Sequence, residues 1–548
     1  MSPYPEISLT LTIWQTALLL GPTLVAGLAA LWARPGATAT VAWRGARWAT
    51  LSALGFAVVS LAGVLLVGPG SGRVLRADIL GGVVLLLVTF VGWVIVRYSQ
   101  PYLNGERQER HYVRWLMVTL AMVSAVVTTN HVLILALAWT ATSLALHRLL
   151  TFFGDRPAAV VAAHKKFIVS RVADLFMLMA AGLLFYAFGT LQIDHLGKLA
   201  AASPQLPLAA QAAVLLIAGS AFLKCAQLPF HGWLIQVMEA PTPVSALLHA
   251  GVVNLGGFVL MRYASLVNEV PAAQVLLVVA GTVTAVLAAL VMTTRISVKV
   301  MLAWSTCAQM GFMLMQCGLG AWEMALLHLV AHSLYKAHAF LGAGGAVRRA
   351  MLTQLTPLAP APDSLALAVG ALIGVGMTLT AGAVLGLLLP TQNATPAIWL
   401  LAGIVAVALV PLVHVQSLRL GGLWLPALGL GAFGVALAYF GLHEIFTALV
   451  LPEQATAHKP QAALLIGVAL AFGALFVMQS VVTVSPQGRI ARYLYPWFYG
   501  GLFLDEKFNL ITFTLWRPPG PVVSVAPLHL TDTSIAIVKP TNATGAST

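Results

Sequence analysis

A lysine, Lys224, lies in one of the most apolar stretches of this chain, between Leu215 and His231. A charged side chain at membrane depth is costly, so we expect Lys224 to face a bundle interior, a water-filled path or a partner charge. The next apolar stretch, from Glu239 to His249, contains a carboxylate, two prolines and a histidine. Prolines at this depth break helices and free backbone carbonyls, which is tolerated where the backbone lines a cavity. These residues favour a buried path for ions, and proton movement is the first hypothesis.

Lys224, Glu239 and His249 form the first candidate group. Burial disfavours the charged form of a lysine, and a nearby carboxylate opposes that effect. Approach or withdrawal of the Glu239 carboxylate would therefore switch Lys224 between holding and releasing a proton. The alternative is a lysine that snorkels to the membrane surface, although Lys224 lies well away from the end of its apolar run.

The second candidate group is Lys165, Lys166, Arg171 and Asp174, at the start of another apolar stretch. On a helix, Asp174 would lie about 12 Å beyond Lys166, inside the hydrocarbon. Arg171 and Asp174 are spaced i, i+3 and can pair on one helix face. Two interpretations stay open: a structural ion pair, or a carboxylate that changes partner as a proton relay requires.

The third candidate group comprises Lys299, His328, His332 and Lys336. The last three are spaced i, i+4, i+8, so on a helix they share one face over about 12 Å. Histidine exchanges protons near neutral pH, and a ladder of such groups suits a proton wire. A pair of histidines at this spacing can also bind metal, or simply pack in the core. No third ligand is apparent, so we expect neither a metal nor a cofactor.

Composition independently indicates a multi-pass membrane protein. Of 548 residues, 60% are hydrophobic and only 8% are charged, and the mean hydropathy is +0.92, whereas a soluble domain has about 25% charged residues. The net charge of +13 comes from short basic clusters between apolar runs, which is typical of cytoplasmic loops rather than of a nucleic-acid-binding face. Three cysteines in apolar surroundings (Cys225, Cys307, Cys317) give neither a disulfide framework nor a metal-ligand spacing.

The apolar runs predict about fifteen spans at the length a bilayer requires, without a cleavable signal peptide. Lysine and arginine concentrate in alternate loops, which predicts a cytoplasmic C-terminus and an N-terminus on the opposite side of the membrane. After the last span, Arg489 to Phe513 is aromatic and mixed in charge, as in an interfacial helix or docking surface. The polar stretch from Trp516 to Thr548 is either a frayed tail or a segment that binds a partner.

Three motifs resemble a known family. The stretches Phe222–Leu234, Ala240–Gly251 and Lys299–Gly311 are similar to the signature of the antiporter-like, proton-translocating subunits of respiratory complex I and Mrp-type antiporters. The resemblance covers about Tyr98 to Arg349. It implies an all-α polytopic bundle with two inverted five-helix repeats, each containing a broken helix. It also implies that Lys224 is the central lysine of the first half-channel, and that Lys299, His328, His332 and Lys336 belong to a connecting hydrophilic axis. The expected divisions are N-terminal helices (1–97), a first repeat (98–264), a trimmed second repeat (265–413), C-terminal helices (414–484) and a cytoplasmic docking segment (485–548).

The chain departs from this family pattern in two places. The respiratory subunits have a Trp-Glu pair in the fifth span, whereas this chain has Trp139-Thr140, and Asp174 is the nearest carboxylate in the pattern. The usual ionisable residue of the second broken helix is also missing, since Ser364 to Leu389 has no charge. A trimmed chain of this kind, without a lateral helix, resembles the DabB-type membrane subunit of an inorganic carbon accumulation complex. The partner in that family is a large cytoplasmic zinc protein (DabA-type) that resembles a β-carbonic anhydrase.

This resemblance implies that cation flow through the chain powers one-way hydration of CO2 to bicarbonate in the zinc partner. Because this chain shows no zinc ligand set, we do not expect it to be an enzyme itself. Lysines and histidines along the axis favour H+ over Na+, which requires oxygen ligands. Two other classes stay open: a subunit of a redox-driven pump or of an Mrp-type Na+/H+ antiporter, and a membrane anchor that conducts nothing.

Overall fold

The computed structural model describes residues 9–34, 36–203, 205–346, 351, 364–388, 395–420, 424–450 and 461–516. The predicted tail thus lies outside the described residues from 517 onward. Three short strands, β1 Leu9–Thr10, β2 Gly70–Ser71 and β3 Arg76–Ala77, form a small sheet in the order β1-β2-β3. Strand β2 pairs parallel to β1 and antiparallel to β3. The other regular secondary-structure elements of the described residues are helices.

Twenty-one α-helices follow one another along the described parts of the chain. In the first half they are α1 Ile13–Trp32, α2 Ala39–Val67, α3 Ile79–Tyr102, α4 Glu109–Thr128, α5 Val132–Leu150, α6 Pro157–Phe188, α7 Ile193–Ala202, α8 Leu208–Lys224, α9 Gly232–Gln236, α10 Thr242–Leu247, α11 Leu255–Arg262 and α12 Ala264–Asn268. In the second half they are α13 Pro271–Met292, α14 Val298–Gly318, α15 Trp322–Leu341, α16 Ser364–Leu388, α17 Pro396–Leu420, α18 Trp424–Val450, α19 Ala462–Val484, α20 Arg489–Tyr499 and α21 Leu504–Leu515.

Twelve candidate transmembrane helices occur in the described part of the chain, each long and apolar enough to cross a bilayer. Two shorter apolar helical segments, Leu208–Lys224 and Pro396–Ala408, add to them. Large apolar side chains such as Leu66 and Leu372 point outward, 86% and 74% exposed, as expected where lipid is the solvent. The predicted all-α polytopic fold is confirmed, and the number of fifteen spans stays a prediction.

Helix α8 ends earlier than its apolar pattern predicts. The run from Pro207 to Val237 reads as one span, but the helix stops at Lys224 and the short helix α9 begins only at Gly232. Ala226 adopts a left-handed backbone with φ of 51°, a conformation that commonly ends helices. Pro229 then provides no backbone N–H to continue the helix. Lys224 consequently lies in the last turn of α8, where a cation interacts favourably with the unpaired carbonyls.

The expected break in the second half is not found. Residues Ser364–Leu388 form one continuous helix, α16, so the expectation of a broken helix there is wrong. The segment contains neither proline nor a charged side chain, so nothing in it interrupts the helical hydrogen bonds or uses freed carbonyls. A different irregularity occurs between α10 and α11, where Leu248–Val252 form a π-helical turn that contains His249. Such turns are frequent at functional sites.

A buried charge cluster secures the start of α3. Asp78 caps the helix by accepting a hydrogen bond from the Gly81 N–H at 2.7 Å, and it pairs with Arg76 at 2.9 Å and with the buried Arg262. Burial alone would raise the pKa of Asp78, but the attraction of Arg262 and Arg76 outweighs burial and holds that pKa below its usual value. This cluster joins the N-terminal helices to α11 and is structural.

The C-terminal arm, defined as residues Arg489 to Trp516, folds back onto the helical bundle. It contains α20 and α21, joined by a short turn at Gly501–Phe503. Arg295, between α13 and α14, donates a hydrogen bond to the Phe498 carbonyl at 3.0 Å. Phe498 and Phe508 are buried, whereas Tyr493 remains 71% exposed. The predicted interfacial segment therefore uses part of its aromatic surface within this chain. We call the membrane end that it covers the arm side.

Candidate functional site

Asp174 is shared by two cations inside the bundle. Its Oδ1 lies 2.6 Å from Lys224 Nζ, and its Oδ2 lies 2.6 Å from an Arg171 Nη atom. The Lys224 and Asp174 side chains are almost fully buried, and Arg171 is about one-third exposed. The group carries a net charge of +1 when all three are ionised. Arginine does not release its proton in proteins, so loss of a proton from Lys224 would leave a neutral Arg171–Asp174 pair.

Trp139 also contacts Lys224, whose Nζ lies 3.9 Å from the centre of the indole ring. That position is favourable for a cation because the ring face is electronegative. The neighbouring Thr140 hydroxyl is buried and has no hydrogen-bond partner among the described residues. The carboxylate beside Lys224 therefore comes from α6 at Asp174, whereas the Trp-Glu pattern would supply it from α5.

Lys166 shares a small cavity with Lys224. Its Nζ donates hydrogen bonds to the Ser143 carbonyl and hydroxyl at 2.7 and 2.6 Å. The cavity is lined by both lysines together with Ser143 and Ser170, and it has room for a water molecule. Water in a cavity lined by both lysines is a medium through which amines can exchange protons.

His249 and Asn254 lie deeper in the bundle. The His249 ring is fully buried, stacks on Phe340 at 4.5 Å and has no hydrogen-bond partner for either ring nitrogen among the described residues. Asn254, one turn further along, donates a hydrogen bond to the Ser333 hydroxyl at 2.6 Å. Asn254 and Ser333 also line a second small cavity. Asn254 is a polar residue that sequence reasoning missed, although an amide within an apolar stretch is a recognisable signal.

The polar ladder of α15 continues from there. Lys336 is fully buried and donates hydrogen bonds to the Leu302 carbonyl, at 3.0 Å, and to the Ser305 hydroxyl. His332 is buried and lies against the backbone of His249. The rings of His332 and His328 are 5.9 Å apart, and His328 Nδ1 lies 3.0 Å from the Gln316 side-chain oxygen. Proton-exchanging groups thus follow α15 away from the arm side.

Two predicted residues lie at the rim instead. Lys299 donates a hydrogen bond to the Thr242 hydroxyl at 2.8 Å, at the arm-side start of α14. Glu239 is half-exposed and faces Arg156 at 4.0 Å, so the expectation that Glu239 modulates Lys224 directly is wrong. The physical reason is that the chain after Ala226 continues through the short helix α9 to the arm side, where Gln236 contacts Asp505, and Glu239 follows at that surface. Asp174 occupies the position beside Lys224.

A buried pair that the sequence analysis missed lies at the far end of α15. Glu323 Oε1 is 3.6 Å from His443 Nδ1 of α18, and the His443 side chain is 1% exposed. Tyr439, one turn before His443, lies within electrostatic range of Glu323. Glu323 is about 7 Å beyond His328 along the helix axis. Both residues are ionisable groups within apolar helices, so the criterion that selected Lys224 would also have found them.

Metal ligation has no support in the described residues. No group of three or more histidine, cysteine, aspartate or glutamate side chains there is placed to hold a metal ion. The three cysteines, Cys225, Cys307 and Cys317, are free and buried. What the arrangement can do chemically is to transfer protons between amines, imidazoles and carboxylates.

Sequence relatives place the chain in a family. A family model described as NADH:quinone oxidoreductase/Mrp antiporter, TM, matches residues 129–382. DabB of Hydrogenovibrio crunogenus, named as a probable inorganic carbon transporter subunit, is 55% identical over 275 residues, or 50% of this chain and 53% of that relative. The match thus spans about half the length of that relative. DabB2 of Halothiobacillus neapolitanus, named likewise, is 36% identical over 528 residues, covering 91% of this chain and 94% of that relative.

Solved structures agree in fold. The Mrp complex of Dietzia sp. has a chain that matches with a TM-score of 0.55 and 24% identity, over 93% of this chain and 58% of that one. A chain of the archaeal membrane-bound sulfane sulfur reductase matches with a TM-score of 0.55 and 18% identity, over 90% of this chain and 99% of that one. The chain belongs to the family of DabB2, its relative along nearly the whole length, and within it residues 129–382 form the antiporter-like membrane domain shared with NADH:quinone oxidoreductases and Mrp antiporters.

Proposed function

We propose that this chain is the proton-conducting membrane subunit of an inorganic carbon uptake complex. The observation that carries the proposal is the buried Lys224, which shares Asp174 with Arg171 and has a titratable ladder beyond it. The two DabB relatives, both named for inorganic carbon transport, support the substrate class. A chain that only anchored a partner would not need cations at this depth, because each is costly in hydrocarbon.

The route that we propose runs from the arm side to the opposite side in the order of the buried groups. Protons pass from Lys166 to Lys224 through the shared cavity, and from there toward His249. They continue along α15 through Lys336, His332 and His328, and leave by the Glu323–His443 pair. Glu323 lies about 20 Å from Lys336 along the helix axis, so the route follows α15 over most of its length. In this proposal the Glu323–His443 pair serves as the exit, a role for which α16 has no charged residue.

Protons suit this route better than Na+. Amines and imidazoles predominate along it, and these groups carry protons, whereas a Na+ site needs several carboxylate or carbonyl oxygens. One charge that crosses 100 mV releases about 2.3 kcal/mol. That free energy shifts an equilibrium by more than tenfold, since about 1.4 kcal/mol corresponds to a factor of ten. It is therefore sufficient to bias the hydration of CO2 toward bicarbonate.

The partner that uses this energy is, in our proposal, a large cytoplasmic zinc protein of the DabA type that resembles a β-carbonic anhydrase. We place the N-terminus in the periplasm and the C-terminus in the cytoplasm of a bacterial inner membrane, because the basic loops lie on the C-terminal side. The arm side is then cytoplasmic. Exposed aromatic residues of α20, such as Tyr493 and Trp497, suit an interface with that partner.

Glu323→Gln should lower proton flux by about a hundredfold if the pair with His443 is the exit, because glutamine cannot accept the proton that His328 passes on. The measurement is potential-driven acidification of vesicles that contain the purified complex. Glu444→Gln, which changes the carboxylate next to His443 in the sequence, is the matched control and should conduct normally. Normal flux through Glu323→Gln would remove this pair from the route.

Purification of the chain from its native membrane tests the proposed complex. One large zinc-containing partner supports carbon uptake. A set of iron–sulfur subunits or of small hydrophobic subunits would support a redox-driven pump or an Mrp-type antiporter instead.

Truncation after Pro486 should leave the membrane helices in place and release the partner, because the arm and the polar tail are both removed. Truncation after Trp516 separates the tail from the arm and shows which of them binds. Full retention of the partner after the longer deletion would place the docking site in the cytoplasmic loops, around Arg107 to Arg110 or around Arg348 and Arg349, which lie outside the described residues.

A further inference from the structure

The C-terminal arm reaches one of the buried lysines. Asp505, in the first turn of α21, lies 340 residues away in sequence from Lys165, yet its Oδ1 is 2.7 Å from Lys165 Nζ. Its Oδ2 accepts a hydrogen bond from Gln236 Nε2 at 2.8 Å. The Lys165 side chain is fully buried, whereas that of Asp505 is 29% exposed. Asp505 therefore connects solvent on the arm side with a lysine that solvent does not reach.

Aromatic rings enclose the same lysine. The Phe508 ring centre lies 5.6 Å from Lys165 Nζ, and Phe508 packs edge-on against Phe230. Trp516 stacks on the ring of His164, the residue before Lys165, with the ring centres 3.7 Å apart. These contacts hold α21 against α6 and keep water from Lys165. The polar contacts at this position are those of Asp505.

Lys165 lies at the start of the proposed route. Lys166, the next residue, lines the cavity that it shares with Lys224. His231, which is buried, lies within electrostatic range of both Asp505 and Lys165, and also of Arg295. His231 and Arg295 are thus a titratable and a charged group near this contact, together with His164, whose ring stacks on Trp516.

We propose that Asp505 is the entrance carboxylate of the path, which takes up protons from arm-side water and delivers them to Lys165. The proposal rests on the proposed function. In each cycle the protonated carboxyl of Asp505 gives its proton to a neutral Lys165 amine, which produces the carboxylate–ammonium pair that the structure contains. The ammonium passes the proton on to His231, the buried imidazole within electrostatic range of Lys165, and water reprotonates Asp505.

This assignment places an essential group outside the region that the family model matches, which ends at residue 382. The entrance is then carried by the arm that we propose as the docking site for the partner. A partner that moves α21 by a few ångströms would separate Asp505 from Lys165 and close the path. Ion flow and partner binding would be coupled through one carboxylate.

Asp505→Asn tests the entrance. The asparagine side-chain oxygen can still accept a hydrogen bond from Lys165 or Gln236, so the arm should stay docked and the partner should still co-purify. Proton flux through the complete complex in vesicles should fall by about a hundredfold, the scale of a lost proton-transfer group. Asp505→Glu should restore most of the flux because it restores a titratable carboxyl. Glu506→Gln, at the exposed neighbouring carboxylate, is the matched control and should be normal.

Each outcome decides the proposal. Low flux with the arm docked, recovered in Asp505→Glu, supports the entrance role. Normal flux in Asp505→Asn overturns it, and so does a loss that accompanies release of the arm, seen as protease cleavage before α21, or of the partner. If the unmodified complex carries no proton flux at all, the proposed function itself fails.

Discussion

Lys224→Ala should abolish ion-driven activity without lowering the amount of protein in the membrane. The flux should fall by about a hundredfold or more, because the substitution removes the amine that exchanges protons at the centre of the route. Assembly should be preserved because Asp174 keeps its contact with Arg171 at 2.6 Å. No buried carboxylate is then left without a countercharge, which is the situation that destabilises strongly.

Two further variants separate charge from proton exchange at this position. Lys224→Arg keeps a cation beside Asp174 but does not release a proton, so it should also be inactive. Lys507→Ala removes an exposed lysine of the arm and should be silent. The measurements are growth that depends on CO2 uptake, and proton flux in vesicles. Wild-type activity in Lys224→Ala would end the half-channel interpretation, whereas activity in Lys224→Arg alone would mean that only the charge is needed.

Asp174→Asn should impair activity strongly, whereas Thr140→Ala should have a mild effect. Asp174 is the carboxylate within 2.6 Å of Lys224, and without it the buried Lys224 and the partly exposed Arg171 become neighbouring cations without a countercharge. Loss of one partner from a buried pair costs about 3–5 kcal/mol, so the amount of folded protein must be measured beside the flux.

The decisive variant adds Thr140→Glu to Asp174→Asn. Thr140 follows Trp139, whose ring contacts Lys224, so a glutamate there can return the missing charge from α5. Recovery of flux in the double variant would show that the position of the carboxylate is exchangeable between α5 and α6. If Asp174→Asn alone were silent, Asp174 would be a structural partner of Arg171 and no more.

Local spacing in the sequence was sufficient to predict the ladder and the ion pair. His328, His332 and Lys336 share one face of α15 because they are spaced i, i+4 and i+8. Arg171 meets Asp174 because residues spaced i, i+3 are neighbours on a helix surface. Lys224 was selected for a different local reason, because a charged side chain within an apolar stretch is costly in hydrocarbon. All of these features can be read from a short stretch of sequence, without knowing how the helices pack.

Features that depend on where a helix ends, or on distant parts of the chain, were not predicted. Glu239 was expected beside Lys224, but the chain leaves α8 after Lys224, and Glu239 lies at the rim facing Arg156. The contact of Asp505 with Lys165 joins residues 340 positions apart, and no local pattern encodes it. The Glu323–His443 pair was visible in composition, but only the packing of α15 against α18 shows that the two meet.

The most direct test of the account is proton flux through the purified complex in sealed vesicles, driven by a potassium diffusion potential in sodium-free buffer. Internal acidification is read with a pH-sensitive dye, for the unmodified complex and for Lys224→Ala. The account predicts rapid acidification with the unmodified chain and the rate of empty vesicles with Lys224→Ala. Equal rates for the two proteins, or flux that appears only when Na+ is added, would contradict a proton path through Lys224.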